Sequence, residues 1–378
     1  MERSTEIALV RRALAHIEAR TTDTDEHPTT VATRTYAADD RHAREIEKIF
    51  RAVPLPVGHV SRIPNAGDFF THDLSGVPLL VVRGDDGEVQ AFLNVCRHRG
   101  TRVEGAPCGS AKAFVCPYHA WSYARDGHLL GIPHERGFVG IDRASHGLVR
   151  VPTSIAAGLI FVIPSKNAAP FDAREWLGPI AAELEGLAIG TSHAHRVTPL
   201  SKDCSWKLAI DVFLEAYHLR PTHRDTIYGM FFDNLGLVDR IGPHLRNVFP
   251  KRTIRELASQ PEDTWRLREH ANILFHVFPS TLVLVEPDHA AVVHVFPSGP
   301  ARAELQTYML VPEAPGTEKA VAYWAANDAI LQNAVAEDFA MGESIQRGLA
   351  SGANESVVFG AFEHALAHFH AGIERLLD

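Results

Sequence analysis

The sequence predicts an α+β chain with a small all-β part and a larger part in which an antiparallel sheet is flanked by helices. Three observations carry that prediction. From Pro54 to Ile163 the chain runs as short β-type segments parted by turns, as in Val77-Pro-Leu-Leu-Val-Val, the turn at Asp86-Gly87 and the returning Val89-Gln-Ala-Phe-Leu-Asn-Val. Four later apolar runs, 273–278, 281–286, 290–296 and 303–311, are separated by Pro-Ser, Pro-Asp-His and Pro-Ser-Gly-Pro turns, the pattern of an antiparallel meander. Segments with helical periodicity lie around them.

The first helix is expected over Thr5–Arg20, where Ile7, Leu9, Val10, Leu14 and Ile17 recur at helical spacing, and a second over Asp39–Phe50, ended by Pro54 and Pro56. Pro164–Pro170, with Ser165, Lys166 and Asn167, reads as a linker. Helices over 173–187 and 204–220 precede the meander. Two more close the chain, over 320–350, whose length invites a break, and over 356–377.

At 378 residues and 46% hydrophobic, the chain is long and apolar enough to bury a real core. Its 37 Lys plus Arg against 46 Asp plus Glu leave a formal charge of −9, which gives no electrostatic reason to bind nucleic acid or an anionic membrane. The longest apolar run, Ile155–Ile163, falls far short of the ~20 residues a bilayer span needs. The twin arginine Arg11-Arg12 is followed by no signal-peptide core, and four cysteines are too few for a disulfide scaffold, so the expected compartment is the cytoplasm.

Two metal-type constellations stand out. Cys96-Arg97-His98 is followed at a distance by Cys116-Pro117-Tyr118-His119, each pair placed after a strand-like run and before turn residues. Two thiolates plus two imidazoles suit either a zinc ion or a [2Fe–2S] cluster in which both histidines hold one iron. Zinc sites usually pair like ligands, whereas each loop here is mixed. The second constellation is Glu215-x-x-His218-x4-His223, on a predicted helix whose Trp206, Ile210, Phe213, Leu214 and Tyr217 make one apolar face. On an unbroken helix His223 would sit about 140° round from His218, so Pro221 is expected to end the helix near Arg220 and let His223 swing back. Two histidines with one carboxylate suit a non-haem Fe(II) that keeps positions open for O2.

Cys-x-His-Arg-x-Gly with Cys-Pro-Tyr-His-x-Trp closely resembles the Rieske signature. Together with the second motif it makes the chain similar to the α (terminal oxygenase) subunit of the Rieske non-haem iron ring-hydroxylating oxygenases. Gly58-His59, Gly67-Asp68-Phe69-Phe70, the segment from His119 to Tyr123 and the C-terminal helices extend the resemblance over nearly the whole chain. It implies a Rieske domain at 40–165, with 1–39 and 166–378 forming a helix-grip (START-like) catalytic domain. The cluster ligands are then Cys96, His98, Cys116 and His119. The mononuclear iron is held by His218, His223 and an aspartate that matches Asp338 in Glu337-Asp338 with Gln346 after it; Asp328 and Glu337 are the alternatives. Glu215 takes the place of a carboxylate that bridges to a cluster histidine of a neighbouring subunit. Most ring hydroxylases have Asp there, and members acting on quaternary amines such as carnitine have Glu.

The resemblance further implies a homotrimer with no β subunit required, an NAD(P)H-dependent reductase acting directly or through a ferredoxin, and O2 with a small-molecule substrate. Ser205, Val212-Phe213 and Ala120 depart from the usual pattern without removing a ligand. Cys108 and Cys204 read as free thiols, and Trp121 as core. Ile227, Tyr228, Met230, Phe231, Phe232, Asn234 and Leu235 are the candidate pocket stretch for a hydrophobic, aromatic or cyclic substrate, with His244 and His276 as further polar contacts. Oxidation of a methylated or quaternary amine is the second reading. A stand-alone Rieske electron carrier would explain only the first motif, and a zinc-binding structural protein would explain neither the second motif nor Asp338.

Overall fold

Seven antiparallel strands form the principal sheet of the computed structural model, which describes residues 1–73 and 76–378. In spatial order they are His193–Lys202, Arg302–Val311, Ala290–Gly299, Thr281–Val285, Ala271–Val277, His244–Pro250 and Leu237–Ile241. The four expected runs are its centre, and their Val, Ile, Leu and Phe side chains are almost all buried. The three remaining strands lacked an apolar pattern. His193–Lys202 is polar, has no buried residue and contains Pro199, which an edge strand tolerates because one row of its backbone groups needs no partner. Leu237–Ile241 and His244–Pro250 form a hairpin around Gly242, whose φ of 58° fits a residue without a Cβ.

This sheet belongs to a unit made of Met1–Glu45 and Leu177–Asp378. The helix Arg3–Ala19 opens it, and the helix Asp39–Glu45 groups with it because Glu45 is fully buried there, accepting from Trp206 Nε1 at 2.8 Å and from Lys207 Nζ at 2.6 Å. The helix Glu318–Ala350 runs without a break, capped by Thr317, whose hydroxyl accepts from Ala320 N. The last expected helix begins later than predicted. Ser356–Phe359 is a strand paired with Thr29–Ala32, since Val357, Val358 and Phe359 favour extended backbone, and the helix starts at His364 after Gly360.

The expected helix over 204–220 is also interrupted. It spans Trp206–Asp211 only, after which Phe213 N and Leu214 N bond back three residues instead of four, and the chain leaves the helix before Glu215.

The second unit, Ile46–Trp176, is the all-β part. Its five-stranded sheet has the order Arg150–Val151, Val89–Leu93, Leu79–Arg83, Asp68–His72, Cys108–Ser110, and two three-stranded sheets accompany it. The Asp-Gly turn joins Leu79–Arg83 to Val89–Leu93 as predicted, with Gly87 at a φ of 84°. Phe69, Leu80, Val82, Phe92, Phe114, Trp121 and Tyr123 form the core against which Cys96 and Cys116 pack.

Candidate metal centres and substrate cavity

The Cys-x-His and Cys-x-x-His loops of the all-β unit share one local design. In each, the cysteine carbonyl accepts from the residue four on, Gly100 N in one and Ala120 N in the other, both at 3.0 Å. Those residues adopt left-handed conformations, with φ of 82° at Gly100 and 57° at Ala120. The loops thus curl so that the thiols turn inward while the imidazoles lie outward: Cys96 and Cys116 are buried, His98 is half-buried and His119 exposed. The His98 and His119 rings lie 4.7 Å apart between centroids. Trp121 is core and also stacks on His98, 5.0 Å between centroids and 5° from parallel. Tyr123 OH lies 3.3 Å from Cys96 Sγ and accepts from Arg97 N, and burial together with that sulfur raises its phenol. Inward thiols, that of Cys96 beside a hydroxyl, with outward imidazoles suit a cluster with sulfur ligands on one iron and nitrogen ligands on the other.

In the larger unit, polar contacts fix both ends of the Trp206–Asp211 helix. Gln346 Oε1 accepts from Ser205 N at 2.8 Å, and at the other end Tyr36 OH donates to Asp211 while His370 Nε2 lies 3.1 Å from it. The chain then turns through Glu215, whose carboxylate accepts from the backbone N–H groups of Tyr217 and His218. This starts a second short helix, Leu219–Thr222, flanked by His218 and His223. Pro221 therefore does not end a helix near Arg220. It sits in the first turn of a new one, where its missing N–H breaks no bond, and the two histidines escape the helical rotation by lying at its ends.

His218, His223 and Asp338 converge, each offering a ligand atom within 4.8 Å of the others. Asp338 Oδ1 is 2.8 Å from His223 Nε2 and 3.3 Å from His218 Nε2, yet it is buried without a well-directed hydrogen bond. Three lone-pair atoms that face one another without bonding in line suit a shared cation. The far side of each ring is held by a carboxylate, His218 Nδ1 by Glu215 at 2.5 Å and His223 Nδ1 by Glu337 at 2.7 Å, which leaves Nε2 of both rings as the inward nitrogen. Burial opposes charge on His218, but the carboxylates of Asp338 and Glu215 facing its two ring nitrogens overcome it and raise the imidazole to about 10. Glu337 is thus a support and not a converging atom. Asp328 lies elsewhere on the helix, paired with Arg196 at 3.6 Å.

A cavity ends at this triad. Its wall is Val212, Phe213, Leu219, Ile227, Phe231, Phe249, Leu274, Leu284, Leu331, Ala334 and Val335, with Asn272 the one polar group besides Glu215 and the triad. Of the predicted pocket stretch, Ile227 and Phe231 line this inner chamber, Met230 an adjoining outer one and Tyr228 neither. Phe232, Asn234 and Leu235 line neither, because Asn234 turns the chain at a φ of 47°, leaving Phe232 beneath the Arg255 guanidinium and Leu235 in the core. His244 and His276 are likewise core: His244 Nδ1 accepts from Phe278 N, and His276 Nε2 donates to Pro279 O. The wall residues missed in the sequence had a signal, since Leu331, Ala334, Val335 and Asp338 follow helical spacing and Asn272 and Leu274 alternate on one strand. Cys108 is exposed; Cys204 is buried, its thiol pushed up to about 12, chiefly by that burial.

Residues 53–151 match the family model of the Rieske [2Fe-2S] domain, and residues 189–378 match that of the ring hydroxylating alpha subunit (catalytic domain). The chain belongs to the Rieske ring-hydroxylating α-subunit family. Its cofactors are accordingly a [2Fe–2S] cluster and a mononuclear iron. Among curated relatives of this family, the biphenyl 2,3-dioxygenase α subunit of Rhodococcus jostii (strain RHA1) is 34% identical over 204 residues, covering 52% of this chain and 44% of that one. The chain thus spans about half the length of the dioxygenase relatives it matches. The carnitine monooxygenase oxygenase subunit of Escherichia coli (strain K12) is 28% identical over 359 residues, covering 90% and 92% of the two chains. Two solved structures share the fold. The quaternary ammonium Rieske monooxygenase CntA with a bound inhibitor has a TM-score of 0.81 at 21% identity over 93% of this chain and 96% of that one. Naphthalene 1,2-dioxygenase from Rhodococcus sp. has a TM-score of 0.77 at 20% identity over 98% of each. Among the described residues no helix is long and apolar enough to cross a membrane.

Proposed function

We propose that this chain is the terminal oxygenase of a cytoplasmic system that takes electrons from an NAD(P)H-dependent reductase, directly or through a ferredoxin, and uses O2 to hydroxylate a mainly apolar, aromatic or cyclic small molecule by mono- or dioxygenation. The observation that carries this reading is the apolar cavity that ends on His218, His223 and Asp338. When bound, the cluster supplies electrons singly and the iron provides a site for O2. The protein's own part is to hold and to exclude. Cys96, His98, Cys116 and His119 hold the cluster; His218, His223 and Asp338 hold the iron; Phe213, Phe231, Leu274 and Leu284 desolvate the substrate beside it.

Glu215 orients His218 through Nδ1. In the homotrimer this reading entails, with no β subunit required, the same carboxylate links His218 to His98 or His119 of a neighbouring subunit and takes or gives the accompanying proton. A second reading, oxidation of a methylated or quaternary amine, is supported by Glu215 itself and by the similarity to the carnitine monooxygenase subunit along 90% of the chain. The faces of Phe213, Phe231 and Phe249 would then receive the cation. A panel of aromatic acids, polycyclic and terpenoid compounds and methylammonium compounds, turned over with a surrogate reductase under labelled O2, separates the readings. Label in cyclic products supports the first, formaldehyde or aldehyde release from the amines supports the second, and neither labelled cyclic product nor aldehyde defeats both.

A further inference from the structure

We propose that Asn272 is the polar anchor of the substrate cavity, and that the substrate is a neutral, mainly apolar molecule carrying a hydroxyl or N–H donor. The inference rests on the oxygenase reading and deepens it. Asn272 projects from the strand Ala271–Val277 on the same side as Leu274, opposite Phe249 in the neighbouring strand. It occupies a junction: the inner chamber at the triad, about 90 Å³, and an outer chamber of about 500 Å³ share Ile227, Phe231, Asn272, Leu284, Leu331 and Ala334 as walls. Asn272 Oδ1 is buried there without a hydrogen-bond partner.

Apart from Glu269, which is exposed at the outer chamber, the charges around it are engaged with one another. In the outer chamber Lys251 pairs with Glu286 at 3.1 Å and His289 with Asp288 at 2.8 Å. In the inner chamber Glu215 is held by His218, and Asp338 faces both histidines. An amide oxygen among apolar walls is costly to bury beneath a ligand that offers it nothing, whereas a ligand donor satisfies it. A site built this way rejects the analogue that lacks the donor far more strongly than a purely apolar pocket would. Since Asn272 stands at the junction and the triad lies at the inner end, a molecule anchored by its donor presents its apolar end to the iron. Hydroxylation then falls on carbon remote from the donor.

The test uses the cluster- and iron-loaded enzyme with two matched pairs, phenol with toluene and 2-naphthol with 2-methylnaphthalene. Calorimetric binding is measured first, and product formation with labelled O2 and a surrogate reductase second. The donor-bearing member of at least one pair should bind about 10- to 100-fold more tightly, and Asn272→Leu should erase that ratio while still binding the methyl analogue. The wild-type comparison needs no variant, so a misfolded Asn272→Leu leaves the proposal testable. Equal binding of both members, or no binding of either pair, overturns it, as does an unchanged ratio in Asn272→Leu. Labelled product from both members without discrimination sinks the anchor and spares the oxygenase. Discrimination in binding without labelled product supports the anchor and sinks the oxygenase.

Discussion

His223 and Glu337 are joined by a 2.7 Å hydrogen bond from ring Nδ1 to the carboxylate, and this pairing turns the opposite nitrogen, Nε2, to within 2.8 Å of Asp338. Glu337 and Asp338 are consecutive residues of one helix, about 100° apart around its axis. One therefore holds the back of the imidazole while the other meets its front. Thr226 Oγ1 donates to the same Glu337 oxygen at 2.8 Å and fixes the carboxylate in turn.

Replacing that support should weaken the iron site without removing a ligand. Glu337→Ala is expected to lower iron affinity about 10- to 100-fold, with Glu337→Gln intermediate because its amide oxygen can still accept. A chelator-competition titration measures this, and the cluster's visible spectrum should not change. Equal affinity in wild type and Glu337→Ala would remove Glu337 from the site.

Glu215 bonds to His218 through its side chain and to the next turn through the backbone of Tyr217 and His218. Glu215→Gln is expected to keep both metals while product formation nearly stops, because in the proposed bridge the amide could not take or give a proton. Iron and sulfide analysis beside steady-state oxygenation checks the pair of outcomes. Normal turnover would defeat the bridging role.

Ala120 occupies a left-handed position that its counterpart Gly100 fills without strain. The Cβ makes that conformation costly by ~1 to 2 kcal/mol, partly offset by glycine's greater freedom in the unfolded chain. Ala120→Gly should therefore stabilise the Rieske domain by about 0.5–1 kcal/mol, seen as a higher thermal midpoint for loss of cluster absorbance. An unchanged or lower midpoint would mean the loop carries no such strain.

Burial holds His276 at about 3, well below its ordinary value near 6.5, with His244 and His368 also disfavouring charge. The unfolded chain takes up a proton that the folded one refuses. This contribution is therefore present above about pH 6.5 and is lost as the pH falls from there toward 3, by up to about 1.4 kcal/mol per pH unit. Urea midpoints measured from pH 7 to pH 4.5 should fall steeply, and His276→Gln should flatten that fall. Parallel curves would place the acid sensitivity elsewhere.

The sequence showed the central strands because Ile273, Phe275, Val283, Leu284, Val292 and Val293 sit between proline-containing turns, so burial and chain reversal both left a mark. It did not show the edge strand His193–Lys202, whose side chains face water and need no apolar pattern. That His98 lies beside His119 and His218 beside His223 was readable because Cys and His at these short spacings are the residue types a metal site would need. The break after Asp211 was not, since Val212, Phe213 and Leu214 continue the apolar face of the helix while Tyr36, Glu45, Gln346 and His370, all distant in sequence, pin Trp206–Asp211 in place. The cavity wall was missed for the same reason. Asn272, Leu284 and Leu331 come from two strands and a helix that only the fold brings together.

The central claim is that one chain holds two separate iron sites, a cluster on Cys96, His98, Cys116 and His119 and a single iron on His218, His223 and Asp338. Iron and acid-labile sulfide, counted per chain in wild type and in Asp338→Ala, test it most directly. The account predicts about three irons and about two sulfides in the wild type, falling to about two and two in the variant with its cluster spectrum intact. An unchanged iron count, or iron and sulfide lost together, would contradict it.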